Sequence, residues 1–501
     1  MELDFSSQGH YLVAFVPELI LTALGMLVLI AGVSRRLARD PERSFDIGWL
    51  ALAGVLLAAF ANGWMYGVHE VGTQAMIAVD RFRLFANWVL LGSAGLAVVM
   101  SMAYVDRQRL QAGEYYGLLL FSTVGMMVMA AARDLIVIFL GLELMSIAVY
   151  AMTALNRAER RSAEAGLKYF ILGAFATGFF LYGIALVYGA TGSTNIARIA
   201  VEVGSGSAQP ALLALGVGLM LVGFAFKVGA VPFHMWTPDV YEGAPTPVTA
   251  FMSAGVKAAA FVAFLRVFTV AFDGVWDRWW TIVWWLAALS MVAANLLALA
   301  QLNVKRMLAY SSIAHAGYLL VAIVAANQAA AAGMLFYLLV YAVMNVGAFG
   351  IVLIVANQGE DRLLIEDYAG FGQQQPLLGV LLTIFLLSLA GFPGTGGFMG
   401  KIYLLQGAMG AHLVWLSVVL VLTTVVSYGY YLRLAWYMWM SEAPTPDVFH
   451  QVRAPISMRI ALLAAAALIL YLGVFPDAAL EMARASVDAL TAFGGSAAAT
   501  P

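Results

Sequence analysis

Apolar residues fill this chain in blocks of about twenty, the length a helix needs to cross the hydrocarbon core of a bilayer, and polar residues sit mainly in the gaps between blocks. The blocks fall at 11–33, 45–67, 84–104, 115–132, 134–154, 167–190, 211–231, 246–271, 279–300, 306–326, 330–356, 376–407, 412–440 and 457–475. This pattern predicts an all-α polytopic membrane protein of about fourteen transmembrane helices. Two blocks are interrupted, the seventh at 229–232 with Pro232 and the twelfth at 391–397 with Pro393. Proline removes a backbone donor and breaks the helical ladder. Broken backbone at membrane depth is tolerated only inside protein or beside a watered cavity, and paired breaks in two halves of a chain point to an ion pathway.

The two halves also match in outline. Arg133-Asp134 opens a helix with Glu143 nine residues after Asp134, and Lys305-Arg306 opens another with His315 nine residues after Arg306. At 1.5 Å per residue each buried group lies about 13.5 Å into its helix, near mid-membrane. The expected organisation is therefore three N-terminal helices in 1–114, a first five-helix repeat in 115–271, an inverted five-helix repeat in 279–440, and a last helix with its tail in 441–501.

Composition agrees with a membrane protein: of 501 residues, 63% are hydrophobic and 11% charged, against roughly 25% charged in soluble domains. With 26 basic and 28 acidic residues there is no electrostatic reason to expect nucleic acid. The absence of cysteine excludes disulfides, thiol catalysis and cysteine-ligated iron–sulfur clusters within this chain. No metal site or catalytic residue is expected. The first ten residues carry acids and no Lys or Arg, so they lack the basic region of a cleaved signal peptide and the first helix is expected to be retained.

Orientation follows from the basic residues of the loops. Arg35, Arg36, Arg39, Arg43, Arg107, Arg109, Arg157, Arg160, Arg161, Lys305, Arg306, Arg362, Arg453 and Arg459 follow odd-numbered helices; Arg81, Arg83, Arg133, Arg198, Arg278 and Arg484 follow even-numbered ones or lie in the tail. Odd-numbered loops are thus expected in the cytoplasm and both termini on the outer side.

The candidate chemistry lies in the charges that the apolar blocks enclose. Lys227 and Lys257 stand 30 positions apart around the first break. A lysine near the bilayer centre costs at least about 2.5–3.5 kcal/mol and usually faces protein, a partner or water. A desolvated lysine releases its proton more readily than a free one, so the two suit a relay, with snorkelling as the alternative. Glu143 is a natural partner for Lys227, either in a switchable pair or in a static one. His315 suits a relay or a packing role, and Lys401, after the second break, a terminal relay position, with snorkelling toward the outer face as the alternative. Lys168 stands four residues after Glu164, the spacing of an ordinary helical ion pair. His234 reads as structural, Arg266 and Arg433 as anchors, and Glu18 has no assigned role. The glycines at 394, 396 and 397 lack the strand and Lys-Ser/Thr of a phosphate loop.

Specific motifs carry a resemblance. Phe233-His234-Met235-Trp236, then Pro238-Asp239, Gly243-Ala244-Pro245-Thr246-Pro247 and Val256-Lys257, resemble the antiporter-like membrane subunits of respiratory complex I, the proton-pumping NADH:quinone oxidoreductase. So do the stretches 305–318, with Tyr310-Ser311-Ser312 and His315, and 391–398. The stretch 165–183, with Lys168, is similar to the subunit N branch, the counterpart of the mitochondrial ND-two chain. The resemblance implies two inverted five-helix repeats with helices 7 and 12 broken. It further implies a proton-translocating subunit of a translocase in a bacterial inner membrane, with Glu143 and Lys227 as coupled pair, Lys257 as central link and Lys401 toward the exit. Lys168 becomes a modulator of Glu143 or Lys227. FMN, iron–sulfur clusters and quinone would belong to partner subunits, and the partners would include further antiporter-like chains. Two other functions stay open: a subunit of a multi-subunit cation/proton antiporter, and a structural spacer whose ionisable groups satisfy one another.

Overall fold

The computed structural model describes residues 2–4, 8–37, 44–71, 75–356, 362–443, 449 and 454–498. Arg39, Arg43 and Arg453 of the orientation count lie outside these. The main helices are α1 (Val16–Leu37), α2 (Ser44–Trp64), α3 (Arg81–Arg107), α4 (Ala112–Ala131), α5 (Leu135–Thr153), α6 (Arg160–Thr191), α7 (Pro210–Val228) and α8 (Trp236–Gly243). They continue as α9 (Thr246–Ala271), α10 (Trp276–Leu299), α11 (Val304–Ala325), α12 (Gln328–Val355), α13 (Pro376–Ala390), α14 (Gly396–Gly410), α15 (Val414–Met440), α16 (Ile456–Val474) and α17 (Asp477–Ala498). A three-residue parallel ladder joins Glu2–Asp4 to His69–Val71.

Among the described residues, 13 helices are long and apolar enough to cross a membrane. The block expected as the twelfth span is divided into α13 and α14, each of 15 residues and shorter than any of the 13 spans. Short polar caps fix the helix starts. Asp134 accepts from Ile136 N at the start of α5, Asp80 from Arg83 N at α3, and Asn303 from Arg306 N at α11.

Both divided spans end their first half alike. Gly229 closes α7 at φ 75° while Ala230 N donates to Ala225 O; Gly391 closes α13 at φ 86° while Phe392 N donates to Leu387 O. Each is a left-handed glycine cap with a bond spanning five residues, which ties off part of the last turn. Pro232 and Pro393 follow in linkers, after which α8 and α14 resume. The span α9 is buried throughout and carries two π-helical turns, Met252–Val256 and Val267–Ala271, on either side of the regular segment Lys257–Arg266.

After α16 the chain forms a helix rather than a plain tail. α17 lays Leu480, Ala483, Val487 and Leu490 against the body of the bundle, packing on α3 and α12, and Ser486 Oγ donates to Arg81 O at 3.2 Å. The buried residues recur every three to four positions, as an amphipathic surface helix requires.

Small residues set the closest helix contacts, as in membrane bundles generally. A Cβ on Gly125 of α4 would lie 2.5 Å from Met145 N of α5. Gly125→Val should therefore push α5, with Glu143, off α4 at a cost of about 1–3 kcal/mol. The check is thermal stability of the purified assembly in detergent, where a clear fall in midpoint is expected.

Candidate functional site

Three lysines lie deep in the bundle and each is held differently. Lys227, in the last turn of α7, donates to Tyr150 Oη at 3.3 Å and lies over the Tyr150 and Tyr169 rings at 5.2 and 5.5 Å. Lys257 opens the regular segment of α9 and donates to Ser312 O at 2.6 Å and to Ser312 Oγ. Lys401, on α14, reaches back to the end of α13, donating to Leu389 O at 3.1 Å and Ala390 O at 2.9 Å, and sits 4.8 Å from the Tyr318 ring. Those carbonyls form the negative end of the α13 dipole, where a cation is favoured. The break at Gly391 exposes them, so the broken helix makes the cation site.

Ser312 is a junction. Its hydroxyl receives Tyr341 Oη at 2.9 Å and lies 3.4 Å from Tyr241 Oη, besides holding Lys257. The neighbouring Ser311 hydroxyl bonds Tyr431 Oη, which lies 3.2 Å from His315 Nε2; His315 Nδ1 lies 2.6 Å from Tyr337 Oη. Asn295 links Tyr430 (3.0 Å) to Tyr318 (3.2 Å), whose ring meets both Lys401 and, edge-on at 5.4 Å, His315. Between Lys257 and Lys401 lie two hydrogen-bonded groups, Ser312 with its tyrosines and Ser311–Tyr431–His315–Tyr337, which meet through the His315 and Tyr341 rings at 5.1 Å and approach Lys401 through the Tyr318 ring. Hydrogen-bonded chains of this kind strengthen cooperatively when shielded from water.

Toward Lys227 the connection is aromatic. Tyr169 stacks on Trp236 at 4.3 Å, and Trp236 meets Tyr241 edge-on at 6.3 Å. Glu143 is half-buried on α5, with Oε1 lacking a hydrogen-bond partner. Among the described residues no ion pair joins it to Lys227 within 4.0 Å. Tyr150, two turns farther along the same face of α5, is what touches the lysine.

Lys168 lies apart from the three buried lysines. It is 44% exposed and pairs with Glu164 at 2.9 Å and with Asp239 of α8 at 3.1 Å. Asp239 and Glu242 in turn hold Arg306 of α11 at 2.8 and 2.9 Å, so surface charges tie α6, α8 and α11 together at the basic-loop end. A polar funnel of about 880 Å3 opens beside them, lined in part by Glu159, Arg161, Glu242 and Asn303. His234 stays in the linker between α7 and α8, half-buried. Arg433 donates to Leu299 O at 2.9 Å at the end of α10, an anchoring contact.

Sequence reasoning missed Tyr150, Ser312, Tyr337 and Tyr431. The signal was present for some of them: Ser311 and His315 are four residues apart and Ser312 and His315 three, so they share a helix face.

The comparisons bear on the whole chain. The family model for NADH:quinone oxidoreductase/Mrp antiporter transmembrane proteins matches residues 132–427. A protein of Trichlorobacter lovleyi named NADH-quinone oxidoreductase subunit N is 47% identical over 94% of this chain and 96% of its own length. Among solved structures, a chain of respiratory complex I from Thermus thermophilus with bound aureothin is 35% identical, covering 93% of this chain and all of that one at a TM-score of 0.78. A chain of the Mrp complex from Dietzia sp. is 21% identical with a TM-score of 0.81, covering 96% of this chain and 99% of that one, a likeness of fold. Identity of this level, held over nearly the full length of both sequences, places the chain in the NADH:quinone oxidoreductase/Mrp antiporter transmembrane family and, within it, in the subunit N group.

Proposed function

We propose that this chain is the proton-translocating, antiporter-like membrane subunit of an NADH:quinone oxidoreductase, working in a bacterial inner membrane with both termini on the outer side. The observation that carries the reading is the buried series of contacts from Lys257 to Ser312 and Tyr341, then by ring contact to His315 with Tyr431 and Ser311, and through the Tyr318 ring to Lys401. Lys257 and Lys401, out of reach of bulk water with hydroxyls and an imidazole between them, suit stepwise proton transfer better than static stability, and Lys227 joins them through the aromatic contacts of Tyr169, Trp236 and Tyr241. A buried ion that only had to be satisfied would be replaced without loss by apolar packing.

In this mechanism Lys227 gains or loses its proton according to the state of Glu143, and Tyr150 transmits the change because it touches Lys227 and shares a face with Glu143. A proton leaving Lys227 passes to Lys257, then through Ser312 and the tyrosine–histidine group, and Lys401 releases it to the outer side. The polar funnel beside Glu242 supplies water and protons from the cytoplasmic side. The first and second five-helix units, 115–271 and 279–440, act as two half-pathways that meet at Ser312. Lys168 acts at a distance by fixing Asp239 and with it the half-helix α8. Electron transfer belongs to partner subunits, where flavin, iron–sulfur clusters and quinone are expected, and further antiporter-like chains are expected alongside. The relative at 47% identity favours this reading over a cation/proton antiporter driven by ion gradients, since the Mrp likeness is one of fold.

Lys227→Ala should abolish most NADH-driven proton pumping by the reconstituted complex, and unchanged pumping at normal turnover would sink the reading. Ser312→Ala should slow proton transfer by at least about 10-fold, short of the roughly 10²–10⁴ that a positioned acid–base group supplies. It should leave NADH oxidation by uncoupled complex in place. Paired measurements of NADH oxidation and vesicle acidification check both.

A further inference from the structure

Lys257 depends for its position on a helix with two weak points. The regular segment Lys257–Arg266 of α9 lies between π-helical turns on both sides, and each π turn inserts one extra residue into the helical ladder. Conversion of such a turn to regular helix would rotate the segment by about 100° and move Lys257 off Ser312. Packing resists this on part of the surface, where Phe261, Phe264 and Leu265 are buried and Phe264 stacks on Phe224 at 4.8 Å, while Ala258, Ala259, Ala260 and Ala263 offer little shape to hold a register.

The far end of the segment adds a polar anchor. Arg266 lies nine residues after Lys257, about half a turn away around the helix, and grips the opposite side. Its two Nη atoms bond both carboxylate oxygens of Asp80 at 2.8 and 3.0 Å, and Nη2 also donates to Ala130 O at 3.2 Å. The pair is 1% and 7% exposed. Asp80 is itself fixed, as the cap that accepts from Arg83 N at 2.8 Å, and Arg83 is anchored by Glu18 at 2.7 Å and by Ala78 O and Ala14 O. Arg266 and Lys257 thus hold opposite faces of one rigid segment, and rotation would break both attachments.

We propose that Arg266 and Asp80 are positioning residues for proton transfer through Lys257, locking the rotation of α9, and that Glu18–Arg83 extends the lock into the N-terminal helices. This rests on the relay reading of Lys257. It also gives helices α1–α3, which hold none of the relay lysines, a part in the mechanism.

The test uses the intact complex in vesicles and reads protons pumped per NADH oxidised. Arg266→Lys keeps the charge and loses the two-pronged bond, and Asp80→Asn keeps the shape and loses the charge. A displacement of about 1 Å at a transfer site costs up to about 100-fold, so both variants should pump far fewer protons per NADH, while the subunit stays in the complex and NADH oxidation continues. Glu18→Gln should lower the ratio less. Lys257→Met separates the two claims. If it pumps normally, the relay reading fails. If it stops pumping while Arg266→Lys and Asp80→Asn keep a normal ratio, the relay stands and the positioning role is overturned. Loss of the subunit from the complex in both pair variants would mark the pair as a structural clamp and also overturn the proposal.

Discussion

The cost of keeping an ammonium group away from water governs this structure. Lys227, Lys257 and Lys401 are 3%, 3% and 5% exposed, and each needs compensation that an apolar bundle does not offer by default. The three solutions differ: aromatic faces and a phenol at Lys227, a serine at Lys257, and the open end of a helix at Lys401. The glycine-capped break at Gly391 meets the same need. A continuous helix through Gly391 would consume the carbonyls of Leu389 and Ala390 in its own ladder and leave Lys401 without partners.

That constraint also explains why the groups form a line. A hydroxyl that satisfies one lysine has remaining capacity to donate or accept, and inside the bundle that capacity must be met by another polar group. Ser312 shows the result, holding Lys257 while receiving Tyr341 and facing Tyr241. Satisfying each buried charge builds a network, and a network of titratable and hydroxyl groups is what the proposed proton route requires.

Much of this was legible in the sequence. Apolar blocks of membrane length, the Gly and Pro residues of the breaks, and Asp134 at the start of its helix are local signals, and they located spans, interruptions and the division between α4 and α5. The buried lysines stood out because charge is rare in such blocks. What was illegible depends on pairs from distant helices. Tyr150, Tyr337 and Tyr431 resemble any aromatic residue of a membrane helix until the fold aims them at Lys227 and His315. For Lys168 the four-residue spacing gave the pair with Glu164, while its second partner, Asp239 of α8, lies 71 positions away and left no local signal. The π turns of α9 left no periodic trace because that helix is buried on all sides. α17 fell below the pattern because its apolar positions recur every three to four residues between polar ones and form no continuous block.

The central claim is that Lys257 passes a proton on, rather than merely holding a charge. The direct measurement is NADH-driven acidification of vesicles containing Lys257→Arg complex, alongside its rate of NADH oxidation. Arginine keeps the positive charge beside Ser312 but does not release a proton in a protein. The account predicts that pumping through this subunit collapses while the subunit remains assembled. Pumping at the unmodified ratio of protons to NADH would contradict it and leave Lys257 a fixed charge in a structural network.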